Sequence, residues 1–113
     1  MRAGTLRHRV TFQQQVTARD TDGAEIVIWS DFATVWAALE QPPGRVQGRE
    51  GFDNFASQEL ARADTLVRIR YREGIHHKLR IVFGSRIFDI LAVAEVETRR
   101  REIHLLCEEK PEA

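Results

Sequence analysis

Thr65-Leu66-Val67-Arg68-Ile69-Arg70-Tyr71-Arg72 alternates over its last six positions, with Val67, Ile69 and Tyr71 on one side and Arg68, Arg70 and Arg72 on the other. A period of two is the side-chain period of a β-strand, whereas a helix would scatter both sets around its axis. The stretch therefore predicts a half-buried strand, apolar inside and lined outside by guanidinium groups. The chain as a whole is neutral, with 17 Lys+Arg against 17 Asp+Glu. Its positive charge is arranged rather than abundant, so the surface that meets this row is expected to be negative.

Upstream, Leu6 to Val16 reads as a first strand with Val10 and Phe12 on its apolar face. Arg19 to Gly23 supplies turn chemistry, since Asp-Gly is a strong hairpin signal. Strands follow at Ile26–Trp29 and at Thr34–Leu39, and Pro42-Pro43-Gly44 ends the second because proline cannot donate to a sheet ladder. Residues 42–53 form a long connection of low apolar content, the kind that is usually functional or disordered. Asn54 to Ala63 lacks strand alternation and predicts a short helix. Downstream, Leu79–Phe83 and Arg86–Leu91 flank Gly84-Ser85, a two-residue hairpin loop. A last hairpin joins Ala92–Val96 to Glu102–Cys107, and residues 109–113 read as a frayed tail. The expected fold is mainly β: a small β-barrel of six to seven antiparallel strands with a long loop and one short helix, in a single domain spanning 1–113.

At 113 residues the chain is long enough for one buried core and too short for two. Hydrophobic residues make up 42% and charged residues 30%, the balance of a soluble globular domain. Zero net charge argues against a bulk electrostatic DNA binder. The single cysteine, Cys107, excludes an internal disulfide framework and fits a reducing compartment. No secretory signal and no apolar run of membrane-spanning length is visible, so an intracellular protein or assembly component is expected.

Catalytic and metal chemistry find little support. His104 and Cys107 lie three apart on a predicted strand and so face opposite sides of the sheet. His8, His76 and His77 do not complete a ligand set. Asp20-Thr21-Asp22-Gly23 resembles part of a calcium loop, but Ala18 and Trp29 occupy that loop's first and last ligand positions, so a hairpin turn explains it better. Neither phosphate loop nor nucleophile motif occurs, and no cofactor is expected. Trp29 and Trp36 read as core or barrel-lid residues, with an interface role as the alternative. The arginines remain: by default a row of them on one strand face is its solvated side, paired with acids on neighbouring strands. Arg80, Arg86, Arg99, Arg100 and Arg101 extend the basic set, and arginine forks suit carboxylate and phosphate partners. Arg68, Arg70, Arg72, Arg80, Arg99 and Arg100 are the candidate partner-binding residues.

The chain resembles the phage head–tail adaptor, or head-completion, family. The resemblance rests on Gly4-Thr5-Leu6-Arg7-His8-Arg9-Val10-Thr11-Phe12-Gln13, Asp22-Gly23, Trp29, Val35-Trp36-Ala37, Gly48-Arg49-Glu50, the strand Val67 to Arg72, Arg80-Ile81, Gly84 to Ile90 and Leu105 to Glu109. It implies a non-enzymatic virion or prophage-encoded connector, a small β-barrel forming a ring below the portal. Such a ring closes the DNA-filled head and seats the tail. Implied partners are a portal or adaptor protein, a tail completion protein, further copies of the chain and the packaged DNA, with assembly in the bacterial cytoplasm. The loop Pro42 to Phe52 would face the channel, with Pro43, Gly44, Arg45, Gly48, Arg49 and Glu50 as its channel residues. The alternative is a small nucleic-acid-binding barrel using the arginine face. Against it, such modules set aromatics beside their basic residues, and Tyr71 alternates away from its arginines.

Overall fold

A computed structural model describes residues 6–41, 62–97 and 101–111. The described residues form six strands: β1 (His8–Arg19), β2 (Glu25–Glu40), β3 (Thr65–Arg70), β4 (Arg80–Phe83), β5 (Arg86–Glu97) and β6 (Arg101–Lys110). Every neighbouring pair is antiparallel, and the spatial order β1-β2-β3-β6-β5-β4 returns to its start because β4 pairs with β1 through Thr11, Phe12 and Gln13. The ladder is thus a closed barrel.

The alternation read from Thr65–Arg72 places the strand, which ends at Arg70, two residues earlier than expected. Val67 and Ile69 are fully buried and face Val10 and Phe12 of β1, Ile81 of β4, Phe88 of β5 and Leu105 of β6 in one core cluster. Burying each such side chain contributes on the order of 1.5–3 kcal/mol. On the opposite face Leu66 is also buried, with Leu106, Ala92 and Ala94, and Ala63 packs against them. The sheet is therefore covered on both sides at the start of β3, and the arginine face becomes a solvent face only further along the strand.

Two pairs of predicted strands are each one strand. Phe12 pairs with Ala33 and Gln13 with Asp31, so Phe32 is an extra residue in β2. Ile90 pairs with Cys107 and Ala92 with Leu106, so Leu91 is extra in β5. Such bulges bend a strand and increase its twist without ending it, which is how long strands follow a small barrel's curvature. The tail also differs from expectation. Glu108, Glu109 and Lys110 belong to β6, where Phe88 pairs with Glu109 and Ile87 with Lys110. Glu109 is held by Arg86 through two hydrogen bonds of 2.9 and 3.0 Å, and its backbone N–H donates to Asp64. The loop predicted over 42–53 and residues 54–61 of the predicted helix lie outside the described residues. Arg62 is in a turn and Ala63 in irregular structure.

The turns follow their sequences. Gly84 has φ 61° at the first position of the two-residue loop between Phe83 and Arg86, and Ser85 has no positive φ, as a type II′ hairpin requires. In the β1–β2 turn, Asp20 Oδ1 accepts from the N–H groups of Asp22 and Ala24, each at 2.9 Å. That carboxylate closes a turn, as the hairpin reading expects.

Candidate partner-binding site

β2 and β3 stay hydrogen-bonded only from Ala37↔Ile69 to Glu40↔Leu66. Beyond that point β2 follows β1, with Val35 opposite Val10 and Trp36 opposite Arg9. β3 follows β6, with Arg70 opposite Glu102 and the Tyr71 N–H donating to the Arg101 carbonyl at 3.2 Å. The two strands split apart, and a groove of about 540 Å³ opens between them.

Both faces of the sheet reach this split. Arg9, Trp36, Arg70 and Arg72 line it from the outer side, while Val35 and Tyr71, which also pack against the barrel core, line it from within. Tyr71 does alternate away from its neighbouring arginines, but at the end of the barrel no sheet separates the two faces. Aromatic and guanidinium groups therefore meet here after all. Trp36 is 50% exposed, so of the core, lid and interface readings the core one does not hold. The Arg9 guanidinium lies 5.0 Å from its ring centroid, and that of Arg101 lies 3.7 Å from Tyr71.

The candidate arginines separate into two groups. Arg68 Nη2 donates to Glu40 Oε2 at 2.7 Å, with its side chain only 24% exposed. Arg80 Nε donates to Gln13 Oε1 at 2.8 Å, and its guanidinium stacks 4.2 Å from the Trp29 centroid. Arg86 grips Glu109, which raises the arginine's affinity for its proton and, through the same hydrogen bonds, holds the Glu109 carboxyl below its ordinary value. Arg101 pairs with Glu95. These arginines are engaged within the barrel. Arg70 and Arg72 are exposed and engaged by none of the described residues, and both face the groove. Arg99, Arg100 and the channel-loop residues Pro43, Gly44, Arg45, Gly48, Arg49 and Glu50 lie outside the described residues.

Arg9 is not among the expected site residues because nothing local marks it, and Trp36 reads first as core or barrel lid. Only the split joins β1 and β2 to the end of β3. Elsewhere, His104 and Cys107 do face opposite sides of β6. Cys107 is fully buried in the core, where burial pushes its thiol pKa up. His104 Nε2 lies 2.8 Å from Glu102 Oε1. Burial raises the Glu102 carboxyl, but the hydrogen bond to His104 and the other contacts outweigh it, leaving the group below its ordinary value. Among the described residues no cluster of three metal-ligating side chains occurs, and no helix is long and apolar enough to cross a membrane.

A protein of Shigella flexneri 2a, solved in solution, superposes with a TM-score of 0.67 at 29% identity, covering 100% of both chains. A chain from the virion of a native gene transfer agent particle superposes with a TM-score of 0.60 at 21% identity, covering 93% of this chain and 96% of that one. No curated protein matches the sequence. The family model described as phage head completion protein matches residues 1–110, so this chain belongs to the phage head completion protein family.

Proposed function

We propose that this protein is a non-enzymatic connector subunit that assembles as a ring below the portal, closes the DNA-filled head and seats the tail. The observation that carries this reading is the family match across residues 1–110. The fold shared with a chain of a gene transfer agent virion supports a place inside a particle. The groove adds a physical reason. Exposed arginine beside an exposed tryptophan and a half-buried tyrosine is the composition of interface hot spots, and many modest contacts around a ring sum to a durable joint.

On this reading the portal or adaptor protein lies on one side of the ring and a tail completion protein on the other. The connection from Pro42 to Phe52 faces packaged DNA, and the particle is assembled in the bacterial cytoplasm. The test is deletion of the gene from a producing phage or prophage, followed by electron microscopy of the particles. The expected result is heads without tails, with tailed particles restored by the gene in trans. An unchanged yield of tailed, infectious particles from the deletion would sink the proposal.

A further inference from the structure

β2 has an unused edge. β1 pairs one side of it as far as Glu25, but on the other side β3 pairs only from Ala37 to Glu40. Between Ala33 and Trp36, therefore, no described strand occupies the edge that borders the groove. An open strand edge is a template for another strand, because its main-chain donors and acceptors are already set at ladder spacing.

The side chains around that edge say which strand would fit. Arg70 and Arg72 are exposed and in no ion pair with described residues, and the Arg9 guanidinium rests on the Trp36 ring. Three like charges border one groove of about 540 Å³, and a partner that brings carboxylates complements them. Just inside them, Val35 and Tyr71 offer an apolar floor. Successive side chains of a strand point to opposite faces, so a segment alternating acidic with apolar residues would meet both layers at once.

We propose that the groove binds an extended acidic segment of a partner protein, added as a strand to β2 with its carboxylates on Arg9, Arg70 and Arg72. This deepens the connector reading and rests on it for the partner's place in the particle; the binding chemistry stands on the groove alone. A protein strand fits better than nucleic acid for two reasons. The Trp36 and Tyr71 rings each already carry a guanidinium on one face, and the donors and acceptors of the open edge repeat at the spacing of a β-ladder rather than of stacked bases.

The test uses the full-length protein, isotope-labelled, and three probes. They are a heptapeptide alternating glutamate with valine and phenylalanine, the same peptide with lysine for glutamate, and a thymidine dodecamer. The acidic peptide is expected to shift backbone amide signals of Ala33–Trp36 and Arg70–Arg72. Arg70→Ala with Arg72→Ala is expected to weaken its binding roughly tenfold, since charge-assisted contacts are lost while the exposed positions leave the fold intact. Trp36→Ala should weaken it as well, with unchanged signal dispersion showing that the variant is folded. Equal binding of the lysine peptide, shifts confined to other strands, or tight binding of the dodecamer without the acidic peptide would each overturn the proposal. Failure of the connector reading shows separately, as normal tailed particles from the gene deletion.

Discussion

Charge reversal along β3 is not a uniform perturbation, and Arg68→Glu is the position where it should damage the fold. Arg68 is 24% exposed and its partner Glu40 43%, with 2.7 Å between Nη2 and Oε2. Partly exposed pairs of this kind contribute at most about 1 kcal/mol. Arg68→Glu removes that pair and sets a second carboxylate beside Glu40 in a half-buried place, adding about 1 kcal/mol of repulsion and desolvation. The expected loss is about 2 kcal/mol, or roughly a 1 M fall in urea midpoint for a domain of this size. Arg68→Met separates charge from burial. It gives up the pair but brings no second carboxylate beside Glu40, so the midpoint should fall by about half as much as for Arg68→Glu or less. Arg70→Glu and Arg72→Glu, at exposed positions, should stay within about 0.5 kcal/mol of wild type. Adding Glu40→Arg to Arg68→Glu should recover part of the loss. Urea unfolding followed by circular dichroism measures all five variants beside the wild type. An unchanged midpoint for Arg68→Glu, or a fall for Arg70→Glu as large as for Arg68→Glu, would refute the reasoning.

Three further outcomes follow from the geometry. A Cβ on Gly74 (φ 89°) would sit 2.8 Å from Phe32 Cζ, whereas one on Gly23 (φ 83°) would meet nothing within 4 Å. Gly23→Ala should therefore cost about 1 kcal/mol and Gly74→Ala about 1 kcal/mol more, and equal thermal shifts would show that the Phe32 contact is immaterial. Cys107, buried with a raised thiol pKa, should resist a thiol reagent at pH 8 in the native protein and react at once in denaturant; fast native labelling would place it outside the core. Glu109 and Glu102 have carboxyls held below the ordinary 4.5, so their stabilisation is present above that pH and is lost as pH falls through the lower folded values. The urea midpoint should accordingly drop on acidification below about pH 4.5, with a shallower drop in Glu109→Gln, and identical acid limbs would contradict the Arg86–Glu109 assignment.

The inner face of β3 could be read from the chain because alternation is a local property: Val67 and Ile69 point together whatever the strand pairs with. Glycine turns were legible for the same reason, since the positive φ at Gly23 and Gly84 depends on the residue itself. The extra residues Phe32 and Leu91 were not legible, because a bulge is defined by the register of the partner strand. Nor could spacing along the chain divide the arginines. Arg68 is engaged by a residue 28 positions away and Arg80 by one 67 away, while Arg70 and Arg72 are left to the groove. Sequence determined which side chains of β3 share one face. Where β2 parts from β3, and hence which outward arginines meet Arg9 and Trp36, was decided by barrel closure, which sets side by side strands far apart in the chain.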